Sequence, residues 1–221
     1  DFFNYYVFDT LTHHFAIKSC SFAENSARIK ITSRTETDSN SPCTNIRIPI
    51  TFMDSAFNRY DAMIIDNGEE FEHNFSLPFT PQAAFLDFDE EFFDLTTDSY
   101  KIISEPSNYE FKNSYFKANV TSCQDSVLLR PTLHWVGANQ EQLPEGISRF
   151  SQKHYWTIEG VNLDKAEIEA KFYFKISFSE RDFDNTLLQD YAAKDSLMLF
   201  YRENAGSPGY RIEANYPSSS S

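Results

Sequence analysis

The chain is poor in the residues that punctuate, cross-link or activate. Its 221 residues include 6 Gly, too few and too scattered for a glycine-rich phosphate loop, and no Gly-x-Ser-x-Gly elbow for a nucleophile occurs. Three Cys exclude a disulfide-dense scaffold, no Cys-x-x-Cys spacing exists for zinc, and no Cys stands beside a His. Bases are outnumbered by acids, 19 to 33, and the net charge is −14. Such a surface repels nucleic-acid phosphates and anionic lipid head groups, so neither is an expected partner. No apolar run approaches the roughly 18 to 20 residues that cross a bilayer, so membrane insertion is not expected either. Asp1-Phe2-Phe3 lacks the charged and apolar regions of a signal peptide. The chain therefore reads as a mature or excised fragment, with Ser218–Ser221 as the start of a Ser-rich linker.

What is abundant is aromatic. There are 22 Phe, 12 Tyr and 2 Trp, side chains that suit half-buried pleated surfaces. Their arrangement follows the same logic. Phe172, Phe174, Ile176 and Phe178 alternate with Lys171, Tyr173, Lys175 and Ser177, and Ile46, Ile48, Ile50 and Phe52 fall on one face of a second run. Pro49 interrupts that run without a donor, which predicts an edge strand or a bulge. Further strands are expected at 14–22, 27–33, 60–66, 69–76, 83–88, 109–123, 126–136, 153–161, 196–202 and 209–214. Helical spacing is confined to two short candidates, Asp1–Thr12 and Asp182–Ala193.

Turn chemistry separates these runs. Asp66-Asn67-Gly68 reads as a hairpin turn. Ser104-Glu105-Pro106-Ser107-Asn108 follows one series of strands and precedes another, and is the expected domain boundary. The sequence thus predicts an all-β protein of two tandem β-sandwich domains, residues 1–104 and 105–217, with one or two short helices. Cys20 and Cys43 flank a polar loop and are candidates for pairing. A closed loop of that size would stabilise by about 3 kcal/mol.

Candidate sites are few. A zinc peptidase needs two His four apart on a helix with a Glu between, and none of His13, His14, His73, His134 or His154 is followed by His at that spacing. Adjacent His13 and His14 point to opposite sides of a strand. The stretch Asp87-Phe88-Asp89-Glu90-Glu91-Phe92-Phe93-Asp94, with Asp98 beyond, has the carboxylates calcium takes, but no Gly for the turn of a hand-type loop. A solvated acidic loop is the plainer reading. Trp135 and Trp156 form either an aromatic platform for sugars or, more commonly in sandwiches, a buried bridge between sheets. Asn74-Phe75-Ser76 and Asn119-Val120-Thr121 match the glycosylation acceptor pattern.

Several segments are similar to a known family. Cys123 to Val136, Ile147-Ser148, His154 to Val161, Lys171-Phe172-Tyr173-Phe174 and Asp195 to Arg202 resemble the region after the catalytic domain in secreted bacterial zinc metallopeptidases of the aminopeptidase N type. Asp1-Phe2-Phe3, Phe8 to Phe15, Pro78-Phe79-Thr80-Pro81 and Phe85-Leu86-Asp87 resemble the passage from that domain into a β-sandwich. The family's zinc ligands and catalytic Glu have no counterpart here, so no catalytic, cofactor-binding or metal residue is assigned. The resemblance implies a non-catalytic accessory region of a secreted or cell-envelope protein. Its partner would be the missing catalytic domain, which would carry the zinc. The alternative is a free-standing binding module for a glycan or a protein.

Overall fold

The computed structural model describes residues 12–35, 44–138, 150–173, 198–203 and 211–215, the last by backbone alone. They form an all-β protein of antiparallel sheets. Both expected helices, the Phe174–Phe178 part of the alternating run, and Cys43 lie outside the described residues. Cys20 is an exposed thiol on β1, and its candidate partner Cys43 is not among the described residues. No helix among the described residues is long and apolar enough to cross a membrane.

The first layered pair of sheets sets β1 (His13–Ala23), β2 (Ser26–Thr35) and β5 (Glu70–Ser76) against β4 (Arg59–Asn67), β3 (Thr44–Met53) and β6 (Ala83–Leu86). Alternation makes the core. Ile29 and Ile31 point inward from β2, Ile48, Ile50 and Phe52 from β3, and Ile64 from β4, with Phe71 of β5 joining them. A two-residue turn at Glu24-Asn25 joins β1 to β2. Asn25 there takes a positive φ of 54°, which Asn tolerates better than most residues. The outward face of this sheet is laced with ion pairs, Lys18 and Lys30 on Glu70 and Arg28 on Glu72.

The Asp66-Asn67-Gly68 turn does not close the expected hairpin. β4 and β5 belong to different sheets, so the turn carries the chain from one layer to the other. Asp66 is buried beneath it, accepting from Ser33 Oγ at 3.0 Å and the Gly68 N–H at 2.9 Å. These bonds specify a reversal, whereas Ile64 and Phe71 must face one core from opposite sides, and that burial decides the pairing.

The second pair opposes β13 (Ala166–Phe172), β10 (Phe116–Cys123) and β9 (Ser107–Phe111) to β12 (Tyr155–Val161) and β11 (Val127–His134). The free edge of β11 is completed by β7 (Thr96–Asp98) and β8 (Lys101–Ile103). The expected boundary at Ser104–Asn108 therefore falls inside this unit, since both short strands before it hydrogen-bond to β11. The run expected at 109–123 is also divided. A 3-10 turn at Lys112–Ser114 and Tyr115 at φ 50° fold it into the β9–β10 hairpin. A last two-stranded ladder pairs β14 (Met198–Tyr201) with β15 (Arg211–Asn215).

Prolines obey the ladder in an instructive way. β3 is the central strand of its sheet, so Pro49 is not on an edge. Its neighbour β6 pairs only with Ile50–Met53, so the missing donor lies where that partner has stopped. Pro131 is also in a central strand. β7 pairs with Thr132–His134 and β8 with Val127–Leu129, leaving the neighbouring edge interrupted opposite Arg130 and Pro131.

The two layered pairs meet on the second face of β11. All eight of its residues are buried. Val127 and Leu129 enter the core of their own pair, while Leu128 packs with Val161, Met53, Ala83, Phe85 and Phe88 in a cluster shared with the first.

Candidate functional site

The face that β11 turns towards the first pair is polar beyond Leu128, and its neighbours extend it in cross-strand rows. Leu128 lies opposite Val161, Arg130 opposite Glu159, Thr132 opposite Thr157, and His134 opposite Tyr155 on β12. On the other side Asp98 and Thr96 of β7 pair with Thr132 and His134. The alternation that fills the core with odd-numbered residues of β11 thus delivers a cation, a hydroxyl and an imidazole to the junction.

At one end sits Arg130, almost fully buried. Its guanidinium donates to the carbonyls of Leu86 (2.8 Å) and Asp87 (3.1 Å) and to Asp98 Oδ2 at 2.5 Å, with Glu159 3.8 Å away. It also lies over the rings of Phe85 and Phe88. A planar five-donor fork suits this set of acceptors better than an ammonium would. Loss of solvation pushes the Glu159 carboxyl up to about 7 although Arg130 opposes the shift. Asn162, at φ 60°, reinforces this end by donating to the Ser55 and Ser126 carbonyls while its N–H meets Gln82 Oε1.

At the other end His14 of β1 meets His134. Arg34, the cross-strand partner of His14, donates from Nε to His14 Nδ1 at 3.3 Å and from a terminal nitrogen to the Gly137 carbonyl at 2.6 Å. Arginine has no acceptor, so His14 Nδ1 carries no proton and Nε2 does. His14 Nε2 therefore donates to His134 Nδ1 at 2.9 Å, and His134 Nε2 donates to Thr157 Oγ1 at 2.9 Å. Tyr155 stacks on His134 with ring centroids 4.3 Å apart and places its hydroxyl 3.4 Å from His14 Nε2. Burial above all holds both imidazoles neutral, His14 well below its ordinary range and His134 down to about 3.

This polarity limits the chemistry. A Thr–His–His series resembles a nucleophile with its base and orienting group, but here the protons run from Arg34 towards Thr157, so the hydroxyl accepts and is not activated. The two imidazoles face two guanidiniums, Arg34 and Arg130, a poor setting for a cation. Among the described residues no group of three or more His, Cys, Asp or Glu assembles as a metal site would.

The acidic stretch is dispersed. Asp87 accepts from the N–H groups of Glu91 and Phe92, and Asp94 from the N–H and hydroxyl of Thr96. Asp89 pairs with Arg59, and Asp98 with Arg130. Burial raises Asp94 to about 6. Two shallow depressions flank Phe88 and Asp89. The first has a volume of about 260 Å³ and is lined among others by Met63, Asp61 and Glu91; the second, of about 320 Å³, by Tyr100 and Asn113.

The tryptophans do not form a common platform. Trp156 donates to the Ser114 carbonyl at 2.7 Å and packs edge-on against Phe172, as a bridge inside the second pair. Trp135 donates to Thr97 Oγ1 at 3.0 Å. His154 is buried against Trp156, and His73 approaches the Ile65 carbonyl. His13 lies buried at the start of β1 near Phe15, on the face away from His14.

Sequence reading singled out His14 and His134 but did not bring them together, and it missed Arg34, Arg130, Tyr155 and Thr157. The pair is 120 residues apart. The one local signal was a Leu-Leu-Arg-Pro-Thr-Leu-His run with a cation and an imidazole on one face of an otherwise apolar strand. Comparison with protein families, with curated proteins and with solved structures returns no match for this chain.

Proposed function

We propose that this chain is a non-catalytic β-sandwich accessory region whose work is mechanical: it holds another domain of the same polypeptide at a fixed position. The observation that carries this reading is β11, buried on both faces and fastened to the first layered pair by Arg130 on the Leu86 carbonyl and by His134 on His14, with Arg34 reaching the Gly137 carbonyl and Asn162 the Ser55 carbonyl beside it. A junction filled by an apolar cluster and crossed by charge-assisted hydrogen bonds resists bending between its halves. The resemblance of Cys123–Val136 and His154–Val161 to the post-catalytic region of aminopeptidase-N-type zinc metallopeptidases supplies the partner. That partner is a peptidase domain of a secreted or cell-envelope protein, which this region braces or spaces.

The test is direct. The isolated chain, assayed with aminoacyl anilides and for bound zinc, is expected to show neither activity nor stoichiometric metal. Finding both would place a peptidase site in this chain and end the accessory reading. A gluzincin zinc motif in the reading frame preceding Asp1 is the corresponding genetic expectation.

A second reading, a free-standing module for a protein partner, is favoured by the outward face of β4, where Met63 and Ile65 stand exposed side by side. Its glycan version leans on the tryptophans, and their inward hydrogen bonds count against it. Screening the intact chain on a glycan array checks that version, with no binding expected.

A further inference from the structure

We infer that the junction between the two layered pairs is an acid-sensitive latch, in which a proton added to either imidazole of the buried His14–His134 pair undoes the contact between β1 and β11. The argument starts from the direction of the hydrogen bonds. Each facing nitrogen has one role: Arg34 Nε donates to His14 Nδ1, and His14 Nε2 donates to His134 Nδ1. A proton on His134 Nδ1 sets two N–H groups against each other at 2.9 Å. A proton on His14 Nδ1 does the same against Arg34 Nε at 3.3 Å. Either event turns a bond into a repulsion and places a new cation in a dry site.

The surroundings do not absorb that charge. Arg34 approaches from β2, Arg130 from β11, Tyr155 from β12 and Arg202 from beyond β14, while His13 precedes His14 on β1. Among the described residues the nearby carboxylates are Asp98 of β7 and Glu159 of β12, and both are turned to Arg130. The backbone crosses here too: the Leu95 N–H reaches the His13 carbonyl, and the Trp135 N–H reaches the Leu95 carbonyl. Loosening the imidazole contact therefore strains the link through Leu95.

The sign follows from linkage. The folded junction binds these protons less readily than the unfolded chain does. The stability due to the pair is therefore complete above pH 6.5, the ordinary histidine value, and is lost as pH falls from there towards about 3. Glu159, raised to about 7, and Asp94, raised to about 6, act in the opposite direction, so they cannot produce an acid loosening. His154, lowered to about 4, titrates inside the second pair against Trp156. A local readout is needed to separate it from the latch.

Hydrogen exchange of the full chain between about pH 7 and pH 4.5, corrected for the intrinsic pH dependence of exchange, provides that readout. Peptides covering 13–17 and 130–136 are expected to lose protection by at least about tenfold relative to 27–31 and 48–52, the equivalent of one unit of proton linkage. In the double variant His14→Gln/His134→Gln the difference should vanish. Junction peptides that stay protected to pH 4.5, or a double variant that loosens as the wild type does, would overturn the latch. Should the double variant fail to fold, nitrogen-15 imidazole spectra of the wild type decide. Both rings neutral at about pH 5, with His14 protonated on Nε2, support the latch. Either ring charged at about pH 6 with junction protection intact sinks it. The result is independent of any peptidase parent.

Discussion

The residue that the junction depends on most is Arg130. It is a buried cation with four acceptors around it, and removing it strands the Asp98 carboxylate together with the Leu86 and Asp87 carbonyls. Arg130→Met is therefore expected to cost about 3–5 kcal/mol in urea denaturation at neutral pH, although Met fills much of the same volume. A loss below about 1 kcal/mol would mean that water enters the site and screens it. Thr132, two residues along the same face, makes the opposite case. Its hydroxyl is buried with no hydrogen-bond partner in the structure. Thr132→Val keeps the shape and removes the unsatisfied group, so it is expected to raise stability by about 1 kcal/mol in the same titration.

Elements are where the sequence could be read most fully. Alternating runs placed most strands, because burial on one face leaves a period of two that needs no knowledge of the partner. Partners were another matter. Asp66-Asn67-Gly68 is sound turn chemistry, yet its two strands enter different sheets, since a turn states only that the chain reverses. The β9–β10 hairpin was missed for the converse reason: Lys112-Asn113-Ser114-Tyr115 contains neither Gly nor Pro, and an aromatic residue accepts the positive φ. The strands Thr96–Asp98 and Lys101–Ile103 are three residues each, too short to show any period. Gly160 offers a test at this scale. A Cβ there would overlap the Leu128 carbonyl oxygen and crowd the Leu163 side chain. Gly160→Ala should therefore prise β12 from β11 and cost about 1–3 kcal/mol, with exchange protection lost first at Leu128–Arg130.

At the scale of the whole molecule, two hydrophobic cores are joined by a third that belongs to both. An all-β protein of antiparallel sheets was legible from the number of runs, but the fusion of two cores through a shared cluster was not, because strand faces that meet across a junction look like ordinary core faces in sequence. Fusion has a thermodynamic signature. Both Trp residues, Trp135 and Trp156, lie at or after β11, so their fluorescence reports the second pair, whereas far-UV circular dichroism reports all strands. The two probes are expected to give coincident urea transitions. Separated midpoints would show that the shared cluster of Phe85, Phe88, Leu128 and Val161 couples the halves too weakly to make them one unit.

A strand with no outward side also has no neutral positions. Along β10, where buried and half-buried residues alternate, a saturation library should return tolerance at every second codon. Through Val127–His134 that rhythm should vanish, leaving eight consecutive codons under purifying constraint. Odd codons there would be closed to polar replacements, and the codons for Arg130 and His134 closed to nearly everything.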